Sequence, residues 1–157
     1  MKIRTILSLV LVGMTFTVLT ATALPPRQMK YFKGTYDNFL REAKKSKKPI
    51  MLDFWAAWCG PCKKMELETF SNPNFISYIN TNYMVYKVDV DTFDGMAIAN
   101  KFAVDAYPSL ILLDSKGKYV HRLRGFFPAD YLKNELEKYQ SETGKKFFIQ
   151  KNLTASL

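Results

Sequence analysis

Apolar positions follow two different periods along the chain, and together they predict strands that alternate with helices. Nearly continuous apolar runs at 50–56 and 110–113 are typical of strands buried on both faces of a sheet. Apolar residues three or four apart, such as Ile98 and Phe102, are typical of the buried side of a helix. The predicted elements are, in chain order, a helix from Asp37 to Pro49, a strand at 50–56, a helix from the two cysteines to about Phe70, a short helix around 75–79, a strand at 83–90, a helix at 95–102, strands at 110–113 and 118–123, and a helix that starts at Pro128.

This order of elements indicates an α/β fold. Strands that alternate with helices form parallel pairs, whereas the turn residues Asp114 to Gly117 predict an antiparallel hairpin. We therefore expect a central mixed β-sheet with helices on both faces. One domain at 35–140 contains all these elements, after an irregular segment at 24–34 and before a tail at 141–157.

The first 23 residues have the pattern of a secretory signal peptide. Lys2 and Arg4 carry positive charge, residues 6–19 are mostly apolar, and the small residues at 21–23 offer a cleavage point. The apolar stretch is shorter than the roughly 20 residues that a membrane-spanning helix needs. We expect export to the periplasm or secretion, or a membrane anchor if the leader stays uncleaved.

Composition and charge narrow the chemistry. The chain has 157 residues, of which 48% are hydrophobic, so a packed core is expected. Its net charge is +9, but we expect no nucleic-acid partner, because export and the lack of clustered basic and aromatic motifs argue against one. Two cysteines and one histidine exclude a four-cysteine or histidine-rich metal centre, and we expect neither a metal nor a cofactor.

The two cysteines form the one candidate chemical site. The segment Trp58-Cys59-Gly60-Pro61-Cys62 lies where a buried strand turns into a helix. Unpaired N–H groups and the dipole at a helix N-terminus favour an anion, so the Cys59 thiolate should be stabilised. Cys62 follows about one turn later, within bonding reach, and Pro61 suits the first turn. A loop this short stabilises a fold little, which favours a reactive pair over a structural disulfide.

Residues 52–63 resemble the active-site segment of thioredoxins; their sequence is LDFWAAWCGPCK. Tyr107-Pro108-Ser109 is similar to the cis-proline segment of that family, and Gly125 to its late glycine before the last helix. The resemblance covers about residues 35–140 and implies the thioredoxin fold. Residues 62–73 are closer to exported thioredoxin-like proteins and to the C-terminal domain of the periplasmic thiol-reductant transporter.

The resemblance implies catalytic roles for four residues. Cys59 would attack a client disulfide and Cys62 would resolve the mixed disulfide. Asp53 lies within an apolar strand, where lost hydration should raise its pKa, and by resemblance it takes the proton of Cys62 through water. Lys87 matches the buried lysine partner of that acid, and the alternative is a surface lysine on an edge strand.

The resemblance also implies a client-binding surface. In the family the cis-proline loop faces the cysteines and offers backbone groups to an extended substrate strand. Trp58, Tyr107 and Phe126 could form an apolar rim around Cys59. The expected client-binding residues are Trp58, Gly60, Pro61, Tyr107, Pro108 and Gly125.

We therefore expect an exported protein that reduces disulfide-containing client proteins, with a membrane thiol-reductant transporter as its electron donor. Gly60 and Pro61 resemble the residues between the cysteines of reducing thioredoxins, at about −270 mV, rather than those of the strong periplasmic oxidant, at about −120 mV. One alternative is an oxidase or isomerase that forms or reshuffles disulfides. The other is a non-catalytic thioredoxin-fold module that binds clients.

Overall fold

The computed structural model describes residues 28–140. The predicted signal peptide at 1–23 and the predicted tail at 141–157 lie outside the described residues. The helices and strands are α1 (Tyr36–Ser46), β1 (Ile50–Trp55), α2 (Gly60–Glu68), α3 (Pro73–Asn82), β2 (Met84–Asp89), α4 (Phe93–Lys101), β3 (Ser109–Leu113), β4 (Tyr119–Arg124) and α5 (129–140).

Two helices start at residues other than those expected, because a capping hydroxyl sets each start. We expected the cap of α1 at Asp37, but Thr35 is the cap, and its hydroxyl accepts the Asn38 N–H at 3.3 Å. Helix α4 starts two residues before its predicted start, since the hydroxyl of Thr92 accepts the Gly95 N–H at 3.0 Å.

The four strands form one mixed sheet in the order β2-β1-β3-β4. Strands β1 and β2 are parallel, and β3 is antiparallel to both of its neighbours. The expected combination of parallel and antiparallel pairs is therefore confirmed. These directions place the last residues of β1, β2 and β4 and the first residue of β3 at one end of the sheet. We call it the cysteine end, because Cys59 follows β1 there.

Two apolar cores lie on the two faces of the sheet. Successive residues of a strand point to opposite faces, so Leu52 and Met51 belong to different cores. The Leu52 core is covered by α1 and α4, and the Met51 core by α3 and α5. By the same alternation Asp53 lies on the Met51 face, which places a carboxyl group among apolar side chains.

The segment before α1 is attached to the edge strand β2. Tyr31 forms a parallel bridge with Val85, and the N–H of Phe32 donates to the Val85 carbonyl at 2.8 Å. The segment expected to be irregular therefore contributes one residue pair to the sheet. Between residues 28 and 140, no helix combines the length and the apolarity needed to cross a membrane.

Candidate active site

Both cysteines lie at the start of α2. Cys59 is the N-cap, and its Sγ accepts the Cys62 N–H at 3.2 Å. The two residues form a disulfide, with their Cα atoms 5.3 Å apart. Pro61 occupies the first turn, where no N–H is needed for the helix. After reduction, the N–H groups at this helix start would stabilise a Cys59 thiolate.

Asp53 is buried in the central strand β1, with 2% of its surface exposed. Its neighbours in the sheet are Lys87 on β2 and Leu110 on β3. Burial raises the pKa of Asp53 to about 7, with a smaller rise from Glu66 and a lowering by Lys87. A carboxylate with a pKa near neutrality is well suited to accept a proton at physiological pH.

A cavity of about 90 Å³ connects Asp53 with Cys62. A water needs roughly 10–15 Å³ by this measure, so the cavity has room for several. The residues that line it are Asp53, Trp55, Cys62, Lys63, Met65, Glu66, Phe70, Lys87 and Pro108. The cavity is therefore large enough to hold water between Cys62 and Asp53.

Lys87 pairs with a different acid from the one that the resemblance implies. Its Nζ lies 2.8 Å from Glu66 Oε2, and 26% of its side chain is exposed. The same ammonium lies over the rings of Trp55 and Tyr31, 4.5 Å and 5.1 Å from their centroids. Lys87 thus forms its ion pair with Glu66 rather than with Asp53. Lys87 is a half-buried residue of an edge strand that acts on Asp53 by charge.

Glu66 is a residue of the site that our sequence analysis missed. It lines the cavity, holds Lys87 and raises the pKa of Asp53. A signal was present, because Glu66 follows Cys62 by four residues and so lies on the same face of α2.

The cis-proline loop lies beside the cysteines. The Tyr107–Pro108 peptide bond is cis, and Pro108 lines the cavity with Cys62. The Pro108 carbonyl accepts the Gly125 N–H at 2.8 Å. Gly125 has φ +95°, in the left-handed region that favours glycine. Gly125 therefore ties the end of β4 to the loop that faces the disulfide.

The expected aromatic rim is divided into two parts. Trp58 is 66% exposed. Its ring lies edge-on to that of Tyr107, with the ring centroids 5.9 Å apart. Its indole Nε1–H donates to Asp91 Oδ1 at 3.0 Å. Phe126 instead packs against the Met51 core, with Lys64 Nζ 4.3 Å from its ring centroid. Asp91 and Lys64 were not among the predicted site residues.

The surface above the disulfide is open, although the cysteines themselves are 4% and 7% exposed. Gly60 and Pro61 are exposed, and a Cβ at Gly60 would meet no atom within 4 Å. Among residues 28–140, no three His, Cys, Asp or Glu side chains are placed to hold a metal ion. The site is therefore a dithiol or disulfide with a carboxyl group behind it.

Comparison with known proteins confirms the expected thioredoxin fold. Residues 36–140 match the family model described as thioredoxin-like domain. Over 107 residues the chain is 34% identical to chloroplastic thioredoxin Y of Oryza sativa subsp. japonica, covering 67% of this chain and 59% of that protein. The oxidised C-terminal domain of DsbD from Neisseria meningitidis superposes with a TM-score of 0.57 at 25% identity, covering 66% of this chain and 90% of that domain.

The chain also matches part of a larger protein. It is 36% identical over 106 residues to the thiol:disulfide interchange protein DsbD of Campylobacter jejuni, covering 66% of this chain and 18% of that protein. The chain thus spans about three fifths of the rice relative and under a fifth of the Campylobacter relative. Both of these relatives are therefore longer than the part that this chain matches.

Proposed function

Because the chain belongs to the thioredoxin-like family, we propose that it is an exported thiol–disulfide oxidoreductase that reduces disulfide bonds of client proteins. One observation carries this proposal: the Cys59 sulfur caps α2 and is bonded to Cys62, and Cys62 lines a cavity that reaches the buried Asp53. A nucleophile, a resolving thiol and a base are thereby close together.

Client reduction takes two thiol–disulfide exchanges. In the first, the Cys59 thiolate bonds to one client sulfur, the client disulfide breaks, and the other client sulfur leaves as a thiolate. In the second, the Cys62 sulfur attacks Cys59, and the first client sulfur leaves. The client gains two electrons, and the Cys59–Cys62 pair ends as the disulfide.

Asp53 is the base that we assign to the second exchange. Cys62 must lose its proton before it attacks, because the thiolate is the nucleophile. With its pKa raised to about 7, Asp53 is partly ionised at neutral pH and can accept that proton. The proton would pass from Cys62 through water in the cavity to the Asp53 carboxylate.

Client binding is assigned to the surface around the disulfide. Tyr107 and Pro108 lie at the edge of that surface, and the backbone of Tyr107 would pair with an extended client segment. Trp58 supplies the large exposed apolar contact, and Gly125 holds the loop through the Pro108 carbonyl. Gly60 and Pro61 leave room for the client above the sulfurs.

The reducing direction and the electron donor are also part of the proposal. Gly60 and Pro61 between the cysteines support a reducing potential, and the similarity to DsbD supports a membrane thiol-reductant transporter as donor. Two electrons from that donor would return the disulfide to the dithiol. The leader pattern at 1–23 supports a periplasmic or secreted location, or a membrane-anchored one if it stays uncleaved.

The redox potential of the Cys59–Cys62 pair tests the direction. We expect a redox potential of about −270 mV when the pair is equilibrated with dithiothreitol and glutathione buffers. A value well above about −180 mV would instead support an oxidase or isomerase.

Insulin reduction separates an enzyme from a client-binding module. The wild-type protein should reduce insulin, and the double variant Cys59→Ser/Cys62→Ser should not. Unfolded-peptide binding is measured on the same two proteins as the control. If the double variant kept full function in cells, client binding rather than catalysis would be the role of the protein.

A further inference from the structure

Four loops lie side by side at the cysteine end, in the order of the strands. The loop after β2 holds Asp91, the loop after β1 holds Trp58, the loop before β3 holds Tyr107, and Phe126 follows β4. Adjacent strands are about 4.8 Å apart, so the two outer loops are separated by about 14 Å. Cys59 follows Trp58 and therefore lies between them.

Opposite charges lie beside the two outer loops: Asp91 belongs to the loop after β2, and Lys64 of α2 lies over the ring of Phe126. On the β2 side, the exposed carboxylate of Asp91 accepts the Trp58 indole N–H at 3.0 Å. On the β4 side, the exposed ammonium of Lys64 lies 4.3 Å from the ring centroid of Phe126. We call Asp91, Trp58, Tyr107, Phe126 and Lys64 the charged rim.

Neighbouring charges keep this polarity. Asp89 and Asp94 lie near Asp91 and are also acidic, and Lys63 precedes Lys64 on α2. At the end of β4, Arg124 lies 2.5 Å from Asp105, so the charges of that pair offset each other. Lys87 on β2 is offset in the same way by Glu66. In the first turn of α5, Asp130 is the carboxylate nearest in sequence to Phe126.

We propose that the charged rim selects client segments with a basic residue on one side of the target cysteine and an acidic residue on the other. This inference rests on the proposed function, since it concerns the client of the same site. An extended segment advances about 3.3 Å per residue, so each rim end lies roughly two residues from the sulfur that Cys59 attacks. The basic side chain meets Asp91, and the acidic side chain meets Lys64.

Two peptides of mirrored charge test the proposal. Each has one cysteine, bonded to thionitrobenzoate; one has Lys two residues before and Glu two residues after the cysteine, and the other has the reverse. The reduced Cys62→Ser protein attacks through Cys59: its sulfur bonds to the peptide sulfur, and coloured thionitrobenzoate leaves as the thiolate. We expect the two rates to differ roughly two- to fivefold, the size of solvent-exposed charge contacts.

Charge variants of the rim sharpen the result. In Lys64→Glu/Asp91→Lys the preference should reverse to the other peptide. The preference between the two peptides should weaken in Lys64→Gln and in Asp91→Asn. The second substitution is conservative, because the new amide oxygen can still accept the Trp58 N–H. About 0.5 M salt should also weaken the preference, because exposed charges are screened. Lys116→Glu is the matched control, since that lysine lies in the β3–β4 turn at the opposite end of the sheet.

Equal rates for the two peptides, or a preference that the double exchange leaves unchanged, would overturn the proposal. An uncharged peptide distinguishes this failure from failure of the proposed function. If the uncharged peptide reacts faster with the protein than with glutathione, the oxidoreductase function stands and only the charge selection is lost. If no peptide reacts faster than with glutathione, the proposed function and this inference both fail.

Discussion

The starts of α1 and α2 have the same capping geometry but different chemistry. In α1 the Thr35 hydroxyl accepts the Asn38 N–H, and in α2 the Cys59 sulfur accepts the Cys62 N–H. The first turn of α1 contains Asp37, whose negative charge meets the positive end of the helix dipole. The first turn of α2 contains no acidic residue.

This difference explains how one helix start is structural and the other reactive. In α1 the dipole is already balanced by a permanent carboxylate, so the cap needs only a hydrogen-bond acceptor. In α2 the available anion is the thiolate of Cys59. The favourable interaction between the helix dipole and this thiolate makes ionisation of the Cys59 thiol easier. Asp53 shares a cavity with Cys62, and in the proposed mechanism it accepts the proton of the Cys62 thiol.

The largest expected effect comes from replacing the capping sulfur of α2 by a hydroxyl oxygen. Cys59→Ser keeps a good N-cap, so α2 should start at the same residue, but it has no thiolate to attack a disulfide. Insulin reduction should fall to the uncatalysed rate, while circular dichroism stays unchanged. Thr35→Ser is the matched control and should keep full activity. A Cys59→Ser protein that still reduces insulin would place the nucleophile elsewhere.

Asp53→Asn tests the buried acid behind α2. The pKa of Asp53 is about 4 in the unfolded chain and about 7 in the folded protein. The folded state therefore binds the proton more tightly, and the free energy of unfolding falls as the pH rises from about 4 to 7. Three pKa units correspond to roughly 4 kcal/mol, so the variant should be more stable than wild type by up to that amount at about pH 8.

Urea unfolding of both proteins across this pH range measures the effect, and the exposed Asp130→Asn serves as control. The gain should vanish below about pH 3, where the wild-type carboxyl is protonated in both states. Client release should meanwhile slow by about 10²-fold at neutral pH, because Cys62 loses its base. Parallel stability curves for wild type and variant would show that Asp53 titrates normally.

A smaller effect is expected at the structural helix start. Thr35→Ala removes the acceptor of the Asn38 N–H and should lower the free energy of unfolding by about 1 kcal/mol. Insulin reduction should not change, because the proposed exchange uses no group of Thr35. Loss of activity without loss of stability would contradict the division between the two helices.

The smallest expected effects concern the charges that tune Asp53. Lys87 lowers the pKa of Asp53 and Glu66 raises it. Lys87→Gln should therefore move the pH midpoint of client release upward, and Glu66→Gln should move it downward. Release of a trapped client by Cys62, followed at a series of pH values, measures both midpoints. Shifts in the same direction would mean that the Lys87–Glu66 pair acts on packing rather than on charge.

Much of the fold could be predicted because its signals are local. The apolar runs of β1 and β3, Pro128 at the start of the last helix, and the Asp114–Gly117 turn depend on neighbours within a few residues. The thioredoxin-like site was also local, since its two cysteines are three residues apart. Lys87 was harder, because its exposure depends on whether β2 is a central or an edge strand, and no local pattern sets strand order.

The contacts around the site could not be predicted for the same reason. Tyr31 reaches Lys87, and Asp91 reaches Trp58, only after separate elements pack on the sheet. Such contacts depend on the crossing of helices over strands and on the pairing register, which single positions do not encode.

The amino-acid sequence alone determined that this chain has a pair of thiols at a helix start after a buried strand, with a carboxyl group inside that strand. Only the tertiary structure decided that Glu66 rather than Asp53 holds Lys87, that Asp91 accepts the Trp58 N–H, and that Lys64 lies over the ring of Phe126. The physical reason is that helix capping and burial of a strand arise from nearby residues. Charge pairing across a sheet instead requires the strands to be placed beside one another.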